Sequence, residues 1–257
     1  TVPFVSKATG VQMANAAVLI GLGKSIAELK AEGYLPSNMD GASLPEETAI
    51  AVKAAVLPFA RFRTPEGVVV DSLLSPEMRS TGEVMGLDKH YDTAFAKAQA
   101  GAGSPLPTSG KVFISVANHD KRNVIIYAKM LESLGFEIVS TGGTAEILRR
   151  NGLNSVIVAS KFAEANGDHS IVDMVRNGDI DLILNTPAGG AARSDGYEIR
   201  AAAVSVGCPV MTTISEFAAA VQAINALREH SWDIMSLQEH GVQLAAAVDA
   251  RSEGGEA

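Results

Sequence analysis

The chain has almost no cysteine. Its 257 residues include one, Cys208, so an intrachain disulfide and a cysteine-rich zinc site are both excluded. That usage suits a reducing cytoplasm. Positive charge is also in deficit: 21 Lys+Arg stand against 29 Asp+Glu, a formal net charge of -8. Such a balance argues against a general nucleic-acid or anionic-membrane binder, while leaving room for a local basic pocket. No apolar run reaches the ~18 residues of a membrane helix. The longest, residues 14–22, is interrupted by Asn15 and Gly21. No basic region or A-x-A-type site marks a signal peptide. The five histidines (His90, His119, His169, His230, His240) show no metal-ligand spacing. What is present is ordinary globular material, 47% hydrophobic and 19% charged, enough for one large domain or two modest ones.

The two halves differ in pattern. Residues 1–5 read as an extended segment entered in mid-stride, and the chain, beginning at Thr1, reads as a piece of something longer. A helix is predicted over 11–21, with Met13, Ala16, Ala17 and Ile20 at helical spacing. A short amphipathic turn follows at 26–30, then a Gly/Pro/Ser-rich loop at 33–45. Residues 52–59 and 68–70 are strand candidates, 76–86 read as a packed loop with a Glu–Arg pair, and 88–100 as a helix. Gly21-Leu22-Gly23-Lys24-Ser25 resembles the end of a phosphate-binding loop, but Val18 occupies the required glycine position, and a helix end fits better. The segment 101–107 is the best linker signal. From Lys111 a new rhythm begins. Strands are expected at 112–116, 136–140, 155–159, 180–184 and 210–212, alternating with helices at 122–134, 145–151, 171–176, 198–206 and 216–227. That alternation implies an α/β, doubly wound parallel sheet. The Gly/Glu-rich residues 251–257 read as a disordered tail.

In an open parallel sheet, ligands bind beyond the carboxyl ends of the strands. Four such ends carry polar residues: Ala117-Asn118-His119-Asp120-Lys121, Thr141-Gly142-Gly143-Thr144, Ser160-Lys161, and Asn185-Thr186-Pro187-Ala188-Gly189-Gly190. Glycines admit backbone N–H groups to a ligand, a helix N-terminus adds positive potential, and Lys121 and Lys161 supply charge. This is the composition of a phosphate site. A plainer reading also stands, in which Thr-Gly-Gly-Thr is a tight turn and Thr144 caps a helix. Cys208, between Gly207 and Pro209, reads as a small buried apolar residue.

Several segments resemble the large chains of carbamoyl phosphate synthetases. They are residues 1–10 (TVPFVSKATG), Val52-Lys53, Leu57-Pro58-Phe59, Phe95-Ala96-Lys97-Ala98-Gln99 and above all 76–86, PEMRSTGEVMG. The resemblance runs to Ser236-Leu237-Gln238-Glu239-His240, nearly the whole chain. It implies that residues 1–107 are a mainly helical/mixed remnant of the second ATP-grasp domain with its linker. Residues 108–250 would be a methylglyoxal-synthase-like, Rossmann-type three-layer effector domain. The whole enzyme of that family is an ATP-dependent ligase. It makes carbamoyl phosphate from bicarbonate and glutamine-derived ammonia for pyrimidine and arginine synthesis, with ATP and Mg (or Mn). Its partners would be the rest of the large subunit, the small glutaminase subunit and further copies in a homo-oligomer. This chain alone is expected to be inactive and without a cofactor. The family's UMP-type effector site falls on Lys121, Thr141, Gly142, Gly143, Thr144, Lys161, Asn185 and Thr186. Pro187 and Gly190 replace a Thr and an Arg of members activated by a purine nucleotide, and Arg193 is a candidate to compensate. Ala54 and Val210-Met211-Thr212 depart from the ornithine-responsive pattern.

Two other readings use the same fold. A methylglyoxal synthase-like phosphate lyase would need a carboxylate base beside the phosphate cradle. Asn166-Gly167-Asp168 and His119-Asp120 are the candidates for that, although Asp168 can equally cap the next helix. A purely structural module would only join large chains together.

Overall fold

The computed structural model describes residues 1–37, 48–64, 69–74, 76–160, 170–186, 189–229, 231–243 and 246, with the backbone alone at 189–195. The chain starts with three short helices: α1 Val2–Thr9, α2 Met13–Gly21 and α3 Ile26–Ala31. The opening segment is thus helical, not extended. Pro3 lies in the first turn, where its missing N–H is not needed, and Gly10 closes the helix at φ 71. The expected face of α2 is buried only at Ala16, and Ile20 stays 46% exposed. Ser25 and Glu28 form a capping box that opens α3, so Gly21–Ser25 is a helix end followed by a helix start.

A hairpin follows. Strand β1, Ile50–Val56, pairs antiparallel with β2, Gly82–Asp88. Half of the segment expected to be a packed loop is therefore a strand. Its two glycines hid it, yet Gly86 is there for a packing reason. A Cβ at Gly86 would run into the Ala94 carbonyl oxygen and come within 2.6 Å of Ala98 N, both in helix α4, Tyr91–Gly101. The expected Glu77–Arg79 pair is present at 2.6 Å. Of the expected strand at 68–70, residue 68 lies outside the described residues, and Val69 forms an isolated bridge with Arg63 in place of a strand.

From Lys111 the predicted alternation is realised. Strands β3 Lys111–Ser115, β4 Glu137–Ser140, β5 Ile157–Val158, β6 Leu182–Asn185 and β7 Val210–Met211 form one parallel sheet in the order β5-β4-β3-β6-β7. Between them run α5 Lys121–Ser133, α6 Gly142–Arg150, α7 Ile171–Arg176 and α8 Gly189–Val206, and α9 Ile214–Glu229 follows β7. Strand side chains alternate between two cores, as a period of two demands. Val112, Ile114, Ile138, Leu182 and Leu184 pack with residues of α4, α5, α6 and α9. Phe113, Val139 and Ile183 pack with residues of α7 and α8 on the other face. This is the three-layer, doubly wound arrangement. The chain leaves β3 toward β4 and β5 on one side and returns to β6 on the other. The crevice between the ends of β3 and β6 is thus the switch point where such sheets take ligands. Phe95 and Ala96 of α4, and Leu106 beyond it, belong to the first of these cores, so the stretch that reads as a linker packs against the sheet. Among the described residues, no helix is long and apolar enough to cross a membrane.

Candidate functional site at the strand ends

Three of the four expected strand ends meet at this crevice. Ser115 ends β3 and Thr141 follows β4, and their hydroxyls lie 3.2 Å apart. Thr141 is the N-cap residue of α6 but makes no side-chain cap bond. Gly142, Gly143 and Thr144 form the first turn of that helix. They are not a free loop, so the N–H groups of Gly142 and Gly143 are the unsatisfied donors every helix start presents. Both glycines are exposed, whereas Thr144 is buried. Thr144 is not the cap. Its hydroxyl turns inward and accepts from Val116 N at 3.4 Å. The Thr186 hydroxyl accepts from Ala117 N at 2.8 Å, and Thr186 N donates to Ser115 O at 3.2 Å. Thr144 and Thr186 thereby hold the segment leaving β3 from both sides.

Lys121 opens α5 just beyond that segment. Its Nζ lies 3.4 Å from the point a Cβ on Gly143 would occupy. Glycine there lets an ammonium lie over the start of α6. Among the described residues, no carboxylate forms an ion pair with Lys121. A lysine and a helix N-terminus, both positive and side by side, favour an anion between them. Asn185 ends β6 and is buried, and its Oδ1 accepts from Arg200 Nη1 at 2.8 Å. Lys161 lies outside the described residues, as do Asn166, Gly167, Asp168 and Pro187; Gly190 and Arg193 fall in the part of α8 described by its backbone alone. The cap of α7 is Ser170, whose hydroxyl accepts from Asp173 N at 3.2 Å, in place of Asp168.

Sequence reasoning missed Arg200. It is fully buried and donates from Nε and Nη2 to the two Asp71 oxygens, each at 2.7 Å. No spacing pattern links residues 129 positions apart. The one available signal was an arginine on the apolar side of a helix. His119 is mostly exposed, with Nε2 3.4 Å from Asp120 Oδ2. Cys208 is half-buried at the edge of the second core, not fully buried as expected; burial pushes its thiol up to about 12 and it donates to Ile180 O, which leaves it unreactive. No cluster of three or more His, Cys, Asp or Glu that could hold a metal forms among the described residues.

Comparison with known proteins agrees with the α/β fold. Residues 123–212 match the family described as MGS-like domain. A carbamoyl phosphate synthase large chain from Kocuria rhizophila is 69% identical over 242 residues, covering 93% of this chain and 22% of that protein. Its counterpart from Paenarthrobacter aurescens is 62% identical over 97% of this chain and 23% of its own length. That of Micrococcus luteus is 62% identical over 96% and 23%. The chain thus spans less than a quarter of the length of these relatives. The matches fit a C-terminal segment of a carbamoyl phosphate synthase large chain that carries an MGS-like domain.

Proposed function

We propose that this chain is the regulatory portion of a carbamoyl phosphate synthase and that its parallel sheet binds a nucleotide effector of the UMP type. The phosphate would lie at the crevice between β3 and β6, held by Lys121 and by the N–H groups of Gly142 and Gly143. The single observation that carries this reading is the approach of Lys121 Nζ to Gly143 at the first turn of α6. Two positive groups are held close, and no carboxylate among the described residues forms an ion pair with Lys121. A structure that leaves them so is arranged for an anion. The family likeness supplies the rest of the ligand, a nucleoside. Effector binding would shift the full enzyme between two states by its differential affinity for them. Synthesis of carbamoyl phosphate from bicarbonate, ammonia and ATP, with Mg or Mn, belongs to the whole enzyme. So do the glutaminase partner and a cytoplasmic, homo-oligomeric setting.

Calorimetric titration with UMP, with inorganic phosphate as control, tests this. Saturable UMP binding clearly tighter than phosphate is expected. Lys121→Met should weaken it by about 1.5–3 kcal/mol, roughly ten- to a hundredfold, because a charge-assisted contact is lost. Absence of UMP binding, or equal binding by the variant, would overturn the site. Turnover of dihydroxyacetone phosphate would show a lyase in its place.

A further inference from the structure

Arg200 has no exposed surface, yet among the described residues it joins Asp71 to Asn185 in a polar link. One side of its guanidinium grips Asp71 in a two-toothed ion pair at 2.7 Å and 2.7 Å. The other side donates from Nη1 to Asn185 Oδ1 at 2.8 Å. The pair packs closely against Gly196. A Cβ at Gly196 would collide with Arg200 Nη1 and come within 2.6 Å of Asn185 Oδ1. Next to Gly196 the Tyr197 hydroxyl donates to Val69 O at 2.5 Å, tying the same segment, 69–71, to α8.

An asparagine side chain has an acceptor end and a donor end, and isolated it can flip. Here the acceptor is taken. Asn185 Nδ2 makes no hydrogen bond with a described residue. Asn185 is the last residue of β6, opposite Ser115 at the end of β3, at the crevice that Lys121 borders. We infer that Arg200 is a positioning residue of the strand-end site: it locks the Asn185 carboxamide with its donor end toward the ligand. Asp71 holds Arg200 in turn. The site then presents donors throughout, from Lys121, the start of α6 and Asn185. It selects ligands by acceptor atoms, phosphate or carbonyl oxygens, and rejects cations. Its affinity is set in part by residue 71, which lies in a segment between the two strands of the hairpin and outside the parallel sheet. This inference rests on the anion-binding reading above, but the lock itself is testable without a ligand.

The first readout is NMR of the asparagine side-chain amides in the unmodified protein. The Asn185 NH2 pair is expected to be rigid, with a contact to the Arg200 guanidinium. Motion as free as that of the exposed Asn123 would overturn the lock. The second readout is Asp71→Asn, which keeps the shape but removes one charged acceptor. It should release the Asn185 amide and weaken UMP binding about tenfold, the scale seen when a partner that orients a ligand-holding side chain is lost. A folded Asp71→Asn protein with unchanged UMP affinity would overturn the inference even if its Tm fell. If that variant does not fold, Gly196→Ala replaces it, since its Cβ displaces Arg200 and Asn185 directly. If the unmodified protein binds neither UMP nor phosphate, the binding reading fails, and the amide spectrum alone then decides the lock.

Discussion

The two ends of this chain are built to different standards of burial. In the parallel sheet, all four residues of β6 are buried, and α9 buries seven of its 16. At the start of the chain, α1 has no buried residue, and α2 and α3 have one each, Ala16 and Leu29. Composition does not explain this, since α2 (MANAAVLIG) is the more apolar sequence. Layering does. A helix packed on a sheet has a whole face to cover, whereas α1 to α3 pack chiefly on one another. Full burial of a Leu, Ile or Phe side chain is worth about 1.5–3 kcal/mol, so the cohesion of the molecule is concentrated between Lys111 and Glu229.

The largest expected effect lies in the buried half. Phe217 is fully buried and meets Tyr127 edge to face, with centroids 6.5 Å apart. Phe217→Ala should cost about 3–5 kcal/mol in denaturant unfolding. A loss below about 1 kcal/mol would mean that the sheet is not the stabilising core.

Next comes the junction of the two halves. Gly86→Ala forces a Cβ into the α4 backbone, which cannot give way as a flexible side-chain tip could. Overpacking of this kind costs about 1–3 kcal/mol, read as a drop in Tm. An unchanged Tm would separate the hairpin from α4.

Two carboxyl groups sharpen the contrast through pH. Burial pushes the Glu216 carboxyl up, against a hydrogen bond from Thr212 N. Asp88 feels burial in the same upward sense. Hydrogen bonds from Lys97 and from His90 N outweigh it, and its carboxyl is held below the usual carboxylate range. The signs are opposite. A raised acid costs stability as pH rises above its unfolded value, so Glu216→Gln should raise Tm at pH 7 and do nothing well below pH 4. A depressed acid adds stability above its unfolded value and loses it as pH falls through its folded value. Asp88→Asn should therefore lower Tm at pH 7, and the loss should vanish in strong acid. Equal responses at both sites would contradict this assignment.

The smallest effect belongs to α2. Val18 is 63% exposed, and Val18→Ser should change unfolding by no more than about 0.5 kcal/mol. A larger loss would show that this face is covered in solution.

The same division decides what could be read from residues alone. The five strands of the sheet were legible because apolar runs alternate with helical periods, and topology then placed Lys121, Thr141 and Asn185 near one another. Strand β2 was not legible, because Gly82 and Gly86 suggest a loop to anyone who cannot see α4 behind them. The helix α1 was misread since Val2 and Val5 favour strands, while the effects of Pro3 and Gly10 depend on where the helix starts and stops. Thr144 looked like a cap until the backbone showed its hydroxyl facing Val116. The Asp71–Arg200–Asn185 link was out of reach altogether, since nothing in a linear sequence marks which buried arginine meets which aspartate.

The central claim is that the crevice between β3 and β6 holds the phosphate of a nucleotide. Backbone amide shifts on addition of UMP locate binding directly. Gly142, Gly143, Thr144, Ala117 and Thr186 should move together and saturate, while residues of β1 and β2 stay in place. Shifts that are absent there, or confined to residues outside the crevice, would contradict it.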